Sequence, residues 1–182
     1  ANLSFVCQDA LSICFESRFD MATASRALQW MAEPQEAVLR MTQAVKPGGA
    51  VVVLDYNHAE HAWEPEPPAE FRQFYGALLA WRKANSWDNG IADRLPGMFR
   101  AAGLEEIRSV VSDERGERGD CDFENLIAIW QAIIGSIGPK VVEAGFVTES
   151  QFEAARQSYA HYAANTLATQ TLSMRTVSGR KR

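Results

Sequence analysis

Cysteine is scarce in this chain, with three residues among 182: Cys7, Cys14 and Cys121. An odd number of cysteines without a CxxC pair argues against a disulfide framework and against a zinc site. Reduced thiols are typical of proteins in a reducing compartment, so we predict a cytoplasmic location.

Clustered positive charge and long apolar runs are also lacking. The only basic cluster is Arg180-Lys181-Arg182 and the net charge is −5, which argues against a nucleic-acid partner. No uninterrupted apolar run approaches the ~20 residues that cross a bilayer, so we predict no membrane partner. The chain starts at Ala1 and enters an apolar stretch without the basic start of a secretory signal. We expect either a processed start or a missing segment upstream.

Short apolar runs alternate with amphipathic patterns, which predicts an α/β domain with a mainly parallel sheet. Strands are predicted at 3–7, 19–24, 50–55, 104–111 and 169–177. Helices are predicted at 34–46, 71–81, 91–102, 126–137 and 148–165, and loops at 57–68 and 113–120. Because ligands of such sheets bind at the carboxyl ends of the strands, the segments 8–10, 25–26 and 55–58 are candidate site positions.

A helix and a strand are joined by Val45-Lys46-Pro47-Gly48-Gly49-Ala50. This segment resembles the L-K-P-G-G turn of class I S-adenosylmethionine-dependent methyltransferases of the small-molecule type. In the family's order, further similar segments are Gln8-Asp9-Ala10 (G-D-A), Phe19-Asp20-Met21 (F-D-x-V), the stretch from Ala24 to Trp30, and the helix from Leu95 to Gly103.

The resemblance implies a Rossmann-like methyltransferase fold with a seven-stranded sheet of order 3-2-1-4-5-7-6. Residues 1–182 would then be the C-terminal two-thirds of a single methyltransferase domain and supply strands 3–7. Segments 57–90 and 113–165 would be helical insertions that cover the substrate side. The family's glycine-rich first loop and second strand are not found in these residues, so the chain by itself is expected to be inactive.

The resemblance also implies S-adenosylmethionine as the cofactor. The residues carried over to cofactor binding are Gln8, Asp9, Ala10, Leu11, Ala24, Ser25 and Arg26. The Asp9 carboxylate would accept a hydrogen bond from the adenine amino group, and Ser25 and Arg26 would line the methionine end. The alternatives are that Asp9 caps the following helical turn and that Arg26 forms a surface ion pair.

Substrate contacts are expected from Arg26, Tyr56, Asn57, His58 and Trp87. His58 follows a predicted strand and is a candidate general base, since imidazole titrates near neutrality. The alternative is an exposed loop histidine without a catalytic role.

The spacing His58-x-x-His61, with Glu60 and Glu64 nearby, could indicate a metal site. It lies in a proline-rich loop and not on a helix, so we predict no metal.

Tryptophans in the insertions could form a lid over a planar substrate, namely Trp63, Trp81 and Trp87. Packing of the same side chains in a helical core is the alternative. Trp130 lies within an isoleucine-rich helical stripe and is predicted to be a core residue.

The predicted function is methyl transfer to an O, N or C atom of a small molecule by in-line displacement, with a homodimer as a possible assembly. A second hypothesis is a truncated or degenerate methyltransferase-like module that acts as a non-catalytic binding or dimerisation partner. A third, a dehydrogenase or similar nucleotide-binding enzyme, requires its own glycine fingerprint, which the sequence also lacks.

Overall fold

The computed structural model describes residues 3–182, which divide into two compact units. The sheet unit comprises residues up to 56 together with 90–112 and 174–182, and the helical unit comprises 57–89 and 113–173. The strands are β1 (Phe19–Ser25), β2 (Val45–Tyr56), β3 (Ala62–Glu64), β4 (Leu104–Val111), β5 (Glu114–Glu117), β6 (Thr169–Leu172) and β7 (Met174–Lys181). The α-helices are α1 (Pro34–Ala44), α2 (Ala69–Ala84), α3 (Ile91–Ala101), α4 (Phe123–Glu143) and α5 (Glu149–Asn165).

The sheet unit has a four-stranded sheet of order β1-β2-β7-β4. β1 pairs parallel with β2, and β7 pairs antiparallel with both of its neighbours. This order and these directions correspond to the expected strands 4-5-7-6, which confirms the predicted α/β fold class for this part of the sheet.

The strand predicted at residues 3–7 is wrong, because these residues have no regular secondary structure. Leu3, Phe5 and Val6 are 70%, 89% and 72% exposed. An apolar run becomes a strand only where a neighbouring strand pairs with its backbone groups, and within residues 3–182 β1 pairs only with β2. Local sequence therefore predicted a strand that no described neighbour stabilises.

Three other segments differ from the predictions. The predicted loops at 57–68 and 113–120 contain the short strands β3 and β5, which both pair with β6. The strand predicted at 169–177 is divided at Ser173 into β6 and β7, which belong to different sheets. Such pairings join residues far apart in sequence, so a local pattern does not show them.

The Pro-Gly-Gly segment near the start of β2 requires both of its glycines. Gly48 has φ +78°, a conformation that favours glycine. A Cβ on Gly49 would lie 2.8 Å from the Lys46 carbonyl oxygen and 3.0 Å from that of Asp20. The Pro-Gly-Gly motif therefore allows the chain to approach the start of β1 closely.

The core of the sheet unit lies between the sheet and two helices. Side chains of α1 and α3, namely Val38, Ile91, Leu95 and Phe99, pack with strand residues Val51, Val53, Leu104 and Val177. On the sheet, Met21, Ala50, Val52, Arg108 and Ser178 are among the residues that line a cavity of about 270 Å³. None of the predicted site residues lines this cavity.

The helical unit consists of α2, α4, α5 and a three-stranded sheet of order β3-β6-β5. Thr148 and Gln151 form the predicted capping box at the start of α5. The buried residues of α4 are Phe123, Ile127, Trp130, Ile134, Gly138 and Val141. By length and composition α4 is also apolar enough to cross a membrane, with 28% of its most apolar window buried.

Candidate functional site

The carboxyl ends of β1 and β2 lie side by side in the sheet unit, as the parallel pairing requires. Ser25 is in register with Leu54, and the Arg26 backbone N–H donates to the Leu54 carbonyl oxygen at 2.8 Å. Arg26 then adopts φ +56°, a left-handed conformation that few residues other than glycine adopt. The backbone therefore turns sharply at the position that the resemblance assigns to the cofactor and substrate.

A buried carboxylate connects these two strand ends. Asp55 has no exposed surface. Its Oδ2 accepts from the Gln29 backbone N–H at 3.1 Å, and its Oδ1 accepts from the Tyr56 backbone N–H at 3.0 Å. Gln29 is also buried, and its side-chain Nε2 donates to the Arg26 carbonyl oxygen at 3.3 Å.

Sequence reasoning missed the role of Asp55 and Gln29. The available signal was a polar residue at the end of an apolar strand, since Asp55 follows five apolar residues. A buried aspartate is uncommon unless its oxygens are paired. One partner of this carboxylate, Gln29, follows another strand and lies 26 positions away, so only the structure reveals it.

Arg26 and Tyr56 form a pair at the same strand ends. The Arg26 guanidinium lies 5.6 Å from the centre of the Tyr56 ring, within the range of a cation–π interaction. Arg26 is exposed and Tyr56 is half-buried, so both side chains reach the surface of the sheet unit. The structure therefore brings together two residues that were predicted separately to contact substrate.

The segment from Gln8 to Leu11 forms a short helical turn. The Asp9 Oδ1 accepts from the Leu11 backbone N–H at 3.1 Å, so the capping role of Asp9 is confirmed. Gln8 Nε2 donates to the Ser12 carbonyl oxygen at 2.7 Å. The turn, Ala10–Ser12, packs against α1.

Asp9 also fits the predicted contact with an adenine amino group. Its side chain is exposed, and the capping bond uses only one of the two carboxylate oxygens. Ala10 and Leu11 beside it are half-exposed apolar residues. An acceptor next to apolar surface suits a planar base with an exocyclic amine, and the cofactor role of these residues stays a prediction.

Ala24 lies in β1 of the sheet unit, and the remaining predicted site residues, Asn57, His58 and Trp87, lie in the helical unit. His58 is only 8% exposed, so the alternative of an exposed loop histidine is wrong. Its backbone N–H donates to the Asn89 carbonyl oxygen at 2.8 Å, and its own carbonyl accepts from the Tyr75 hydroxyl at 2.5 Å. Asn57 is buried as well, and its backbone N–H donates to the Ser173 carbonyl oxygen at 2.9 Å.

Burial keeps two neighbouring imidazoles neutral. Desolvation, followed by the positive charge of Arg82 and by His61, lowers the pKa of His58 well below its usual value. Burial is also the main cause that lowers the pKa of His61 to about 4. His61 Nδ1 accepts from the Ser173 backbone N–H at 3.0 Å, a bond that requires an unprotonated Nδ1.

The two imidazoles do not belong to a recognisable metal site. Their ring centres are 5.0 Å apart. Within residues 3–182, no group of three or more His, Cys, Asp or Glu side chains is arranged to hold a metal ion.

The tryptophans of the helical unit pack against other aromatic rings. Trp130 is 1% exposed, which confirms it as a core residue, and its ring centre lies 5.5 Å from that of Trp63. Trp81 is 9% exposed and packs edge-on against Trp87 at 5.2 Å. Trp87 is half-buried and also faces the Arg82 guanidinium at 5.9 Å. Its contact with substrate stays a prediction.

The fold is a Rossmann-like α/β fold that solved structures share. The chain is similar to the YcgJ protein of Bacillus subtilis, with TM-score 0.51, 14% identity, and coverage of 96% of this chain and 69% of that one. It is also similar to a Bacillus halodurans protein assigned as a methyltransferase, with TM-score 0.50, 15% identity, and coverage of 98% and 78%. At these identities the likeness describes the fold.

Sequence comparison identifies the family that the chain resembles. Residues 1–53 match the family described as Methyltransferase domain. The resemblance to methyltransferases is therefore confirmed by this match for the first 53 residues.

Two bacterial relatives match parts of the chain. Malonyl-[acyl-carrier protein] O-methyltransferase of Haemophilus ducreyi is 28% identical over 90 residues, which are 50% of this chain and 32% of that protein. Demethylmenaquinone methyltransferase of Renibacterium salmoninarum is 34% identical over 58 residues, which are 31% of this chain and 24% of that protein. The chain thus matches about a quarter to a third of the length of these relatives.

Proposed function

We propose that the protein is an S-adenosylmethionine-dependent methyltransferase that acts on a small-molecule nucleophile. The observation that carries the proposal is the match of residues 1–53 to the methyltransferase domain family. These residues include β1, α1 and nearly all of β2, the elements whose ends present Ser25, Arg26 and Tyr56. The relatives, an O-methyltransferase and a demethylmenaquinone methyltransferase, support transfer to an organic acceptor.

The cofactor contacts come from two segments of the sheet unit. Gln8, Asp9, Ala10 and Leu11 hold the adenine, with Asp9 as the hydrogen-bond acceptor. Ala24, Ser25 and Arg26 lie at the methionine end. When bound, S-adenosylmethionine supplies an electrophilic methyl group on a sulfonium.

The residues of this chain contribute mainly orientation and a site with little water. Tyr56 and Arg26 bind the acceptor at the end of β2, and Asn57, His58 and Trp87 are further contacts. His58 is neutral near pH 7 because burial lowers its pKa, so its imidazole is available to accept a proton from an acceptor hydroxyl or amine.

The proposal also covers the location, the partners and the assembly of the protein. We propose a cytoplasmic protein without a nucleic-acid or membrane partner, and a homodimer as its assembly. Sedimentation of the purified protein at several concentrations tests the homodimer.

A second candidate function is a non-catalytic methyltransferase-like module. In that case the domain binds or dimerises without cofactor.

Titration of S-adenosylhomocysteine into the full-length gene product by calorimetry distinguishes the two functions. The methyltransferase is expected to bind it with a micromolar dissociation constant. Absence of binding up to millimolar concentrations contradicts the enzyme and supports the non-catalytic module.

Variants of Asp9 test its place in the site. Asp9→Ala is expected to weaken the binding of S-adenosylhomocysteine by about 1–2 kcal/mol, because the adenine amine loses its hydrogen-bond acceptor. Asp9→Ser is the matched control, since serine also caps a helical turn but is too short to reach the base. If Asp9→Ser binds as tightly as wild type, Asp9 is a cap alone.

A further inference from the structure

We propose that Asp55 and Gln29 form a positioning clamp that holds Arg26 in its left-handed conformation and presents its guanidinium, already oriented, to the ligand. The proposal rests on the function proposed above and adds two positioning residues, neither of which is predicted to contact the ligand itself.

The backbone of Arg26 is the first observation. An L-residue with φ +56° brings its Cβ close to the following carbonyl oxygen, so glycine is preferred at such a position. Strained residues persist where surrounding contacts hold them, and they concentrate at functional sites. Arg26 lies at the end of a strand next to a parallel neighbour, which is where α/β sheets bind ligands.

The contacts that hold this conformation form a closed loop. The Arg26 N–H donates to Leu54, and the Arg26 carbonyl accepts from the Gln29 side chain. The Gln29 N–H donates to Asp55. Both peptide groups of the strained residue are thus tied, directly or through Gln29, to the end of β2.

The same carboxylate also holds the ring that faces the guanidinium. Asp55 Oδ1 accepts the Tyr56 N–H, and the Tyr56 ring lies 5.6 Å from the Arg26 guanidinium. A fully buried carboxylate is costly, and apolar residues of similar size are often at least as stabilising. Orientation of both members of the Arg26–Tyr56 pair gives this costly group a functional reason. A charged side chain that is held before binding loses less entropy on binding.

A double-mutant cycle in the full-length protein tests the clamp, with S-adenosylhomocysteine as the probe. Arg26→Ala is expected to weaken binding about tenfold, the usual effect of losing one charge-assisted hydrogen bond. Asp55→Asn keeps the size of the side chain but turns an amide donor toward a backbone N–H. It should weaken binding about fivefold in the wild-type background and have no further effect in the Arg26→Ala background, because coupled residues are not additive.

Equal losses from Asp55→Asn in both backgrounds overturn the proposal, since Asp55 then acts independently of Arg26. Gln29→Ala is a milder variant that removes the side-chain bond to the Arg26 carbonyl and keeps the backbone bond to Asp55, and it should show the same dependence on Arg26. Val38→Ala, a change of a buried α1 residue, is a control that should lower the stability of the protein without weakening its binding of S-adenosylhomocysteine.

A measurement without ligand separates this proposal from the proposed function. Backbone NMR shifts of Arg26 and Gln29 are expected to move in Asp55→Asn and Gln29→Ala but not in Val38→Ala. If the wild type does not bind S-adenosylhomocysteine, the proposed function fails, while these shifts still decide whether the clamp exists. Unchanged shifts in Asp55→Asn overturn the clamp.

Discussion

The sheet unit and the helical unit bury polar groups in different ways. In the sheet unit the side chains of Asp55 and Gln29 form hydrogen bonds with backbone groups at the ends of two strands. These bonds hold the local backbone conformation. In the helical unit His58, His61 and Arg82 lie in a core rich in aromatic rings. There desolvation and the charge of Arg82 lower the pKa of both histidines.

The difference shows two uses of a buried polar side chain. A carboxylate that accepts two backbone N–H groups determines a local conformation. An imidazole that is buried beside a cation is kept neutral and makes stability depend on pH. We therefore expect mutations of Asp55 and Gln29 to alter ligand binding and mutations of His61 to alter the pH dependence of stability.

Trp130→Ala has the largest expected effect on stability. Trp130 is almost fully buried among Trp63, Phe71 and Tyr75, and removal of such a side chain lowers the free energy of unfolding by about 3–5 kcal/mol. Hydrogen exchange should show the lost protection in α4 and in α2, which carries Phe71 and Tyr75. Phe99→Ala, equally buried in the sheet unit, is the control and should expose α3 instead. Identical exchange patterns for the two variants would contradict the division into two units.

The pH dependence of stability tests the buried imidazole of His61. Its pKa is about 4 in the folded protein and about 6.5 when unfolded, so between these values the unfolded state binds more protons. The free energy of unfolding should therefore fall by about 3 kcal/mol as the pH drops from 7 to below 4, and recover as the pH rises.

His61→Asn isolates this contribution. Asparagine keeps an acceptor for the Ser173 N–H and does not titrate, so denaturant unfolding of this variant should depend less steeply on pH between 4 and 6.5. His161→Asn, on the exposed face of α5, is the matched control. A pH profile of His61→Asn that equals the wild-type profile would refute the assignment.

Arg26→Gly has the smallest expected effect on stability, and it should stabilise the protein where Trp130→Ala destabilises it. Glycine adopts a positive φ without strain, so the free energy of unfolding should rise by about 1 kcal/mol. Binding of S-adenosylhomocysteine should weaken at the same time. Ser86→Gly, at φ +61° after α2 in the helical unit, is the control that should stabilise without an effect on binding. A stable Arg26→Gly that binds normally would show that the strain at Arg26 has no functional role.

Local patterns predicted much of the fold correctly. The helix after Pro34 and the capping box at Thr148 appear because each depends on contacts within a few residues, and the strand before Asp55 appears because β1 and β7 pair with it. The predicted strand at 3–7 failed because a strand needs a partner, and the segment has none among residues 3–182.

The candidate site was predictable only in part. The motif order pointed to Asp9, Ser25 and Arg26 because these residues lie in a stretch that resembles the methyltransferase family. The contacts of Asp55 and the burial of His58 needed the structure: the carboxylate meets Gln29 across 26 positions, and the imidazole is buried where the sequence allowed an exposed loop.

The amino-acid sequence by itself determined the periodicity of the helices, the Pro-Gly-Gly turn and the resemblance to a methyltransferase, since all three reside in short contiguous segments. The tertiary structure alone decided which strands pair, which polar groups are buried, and that one carboxylate holds both Gln29 and Tyr56. The reason is physical: strand pairing and desolvation depend on residues distant in sequence, and neither the partners nor the loss of water is encoded in any local pattern.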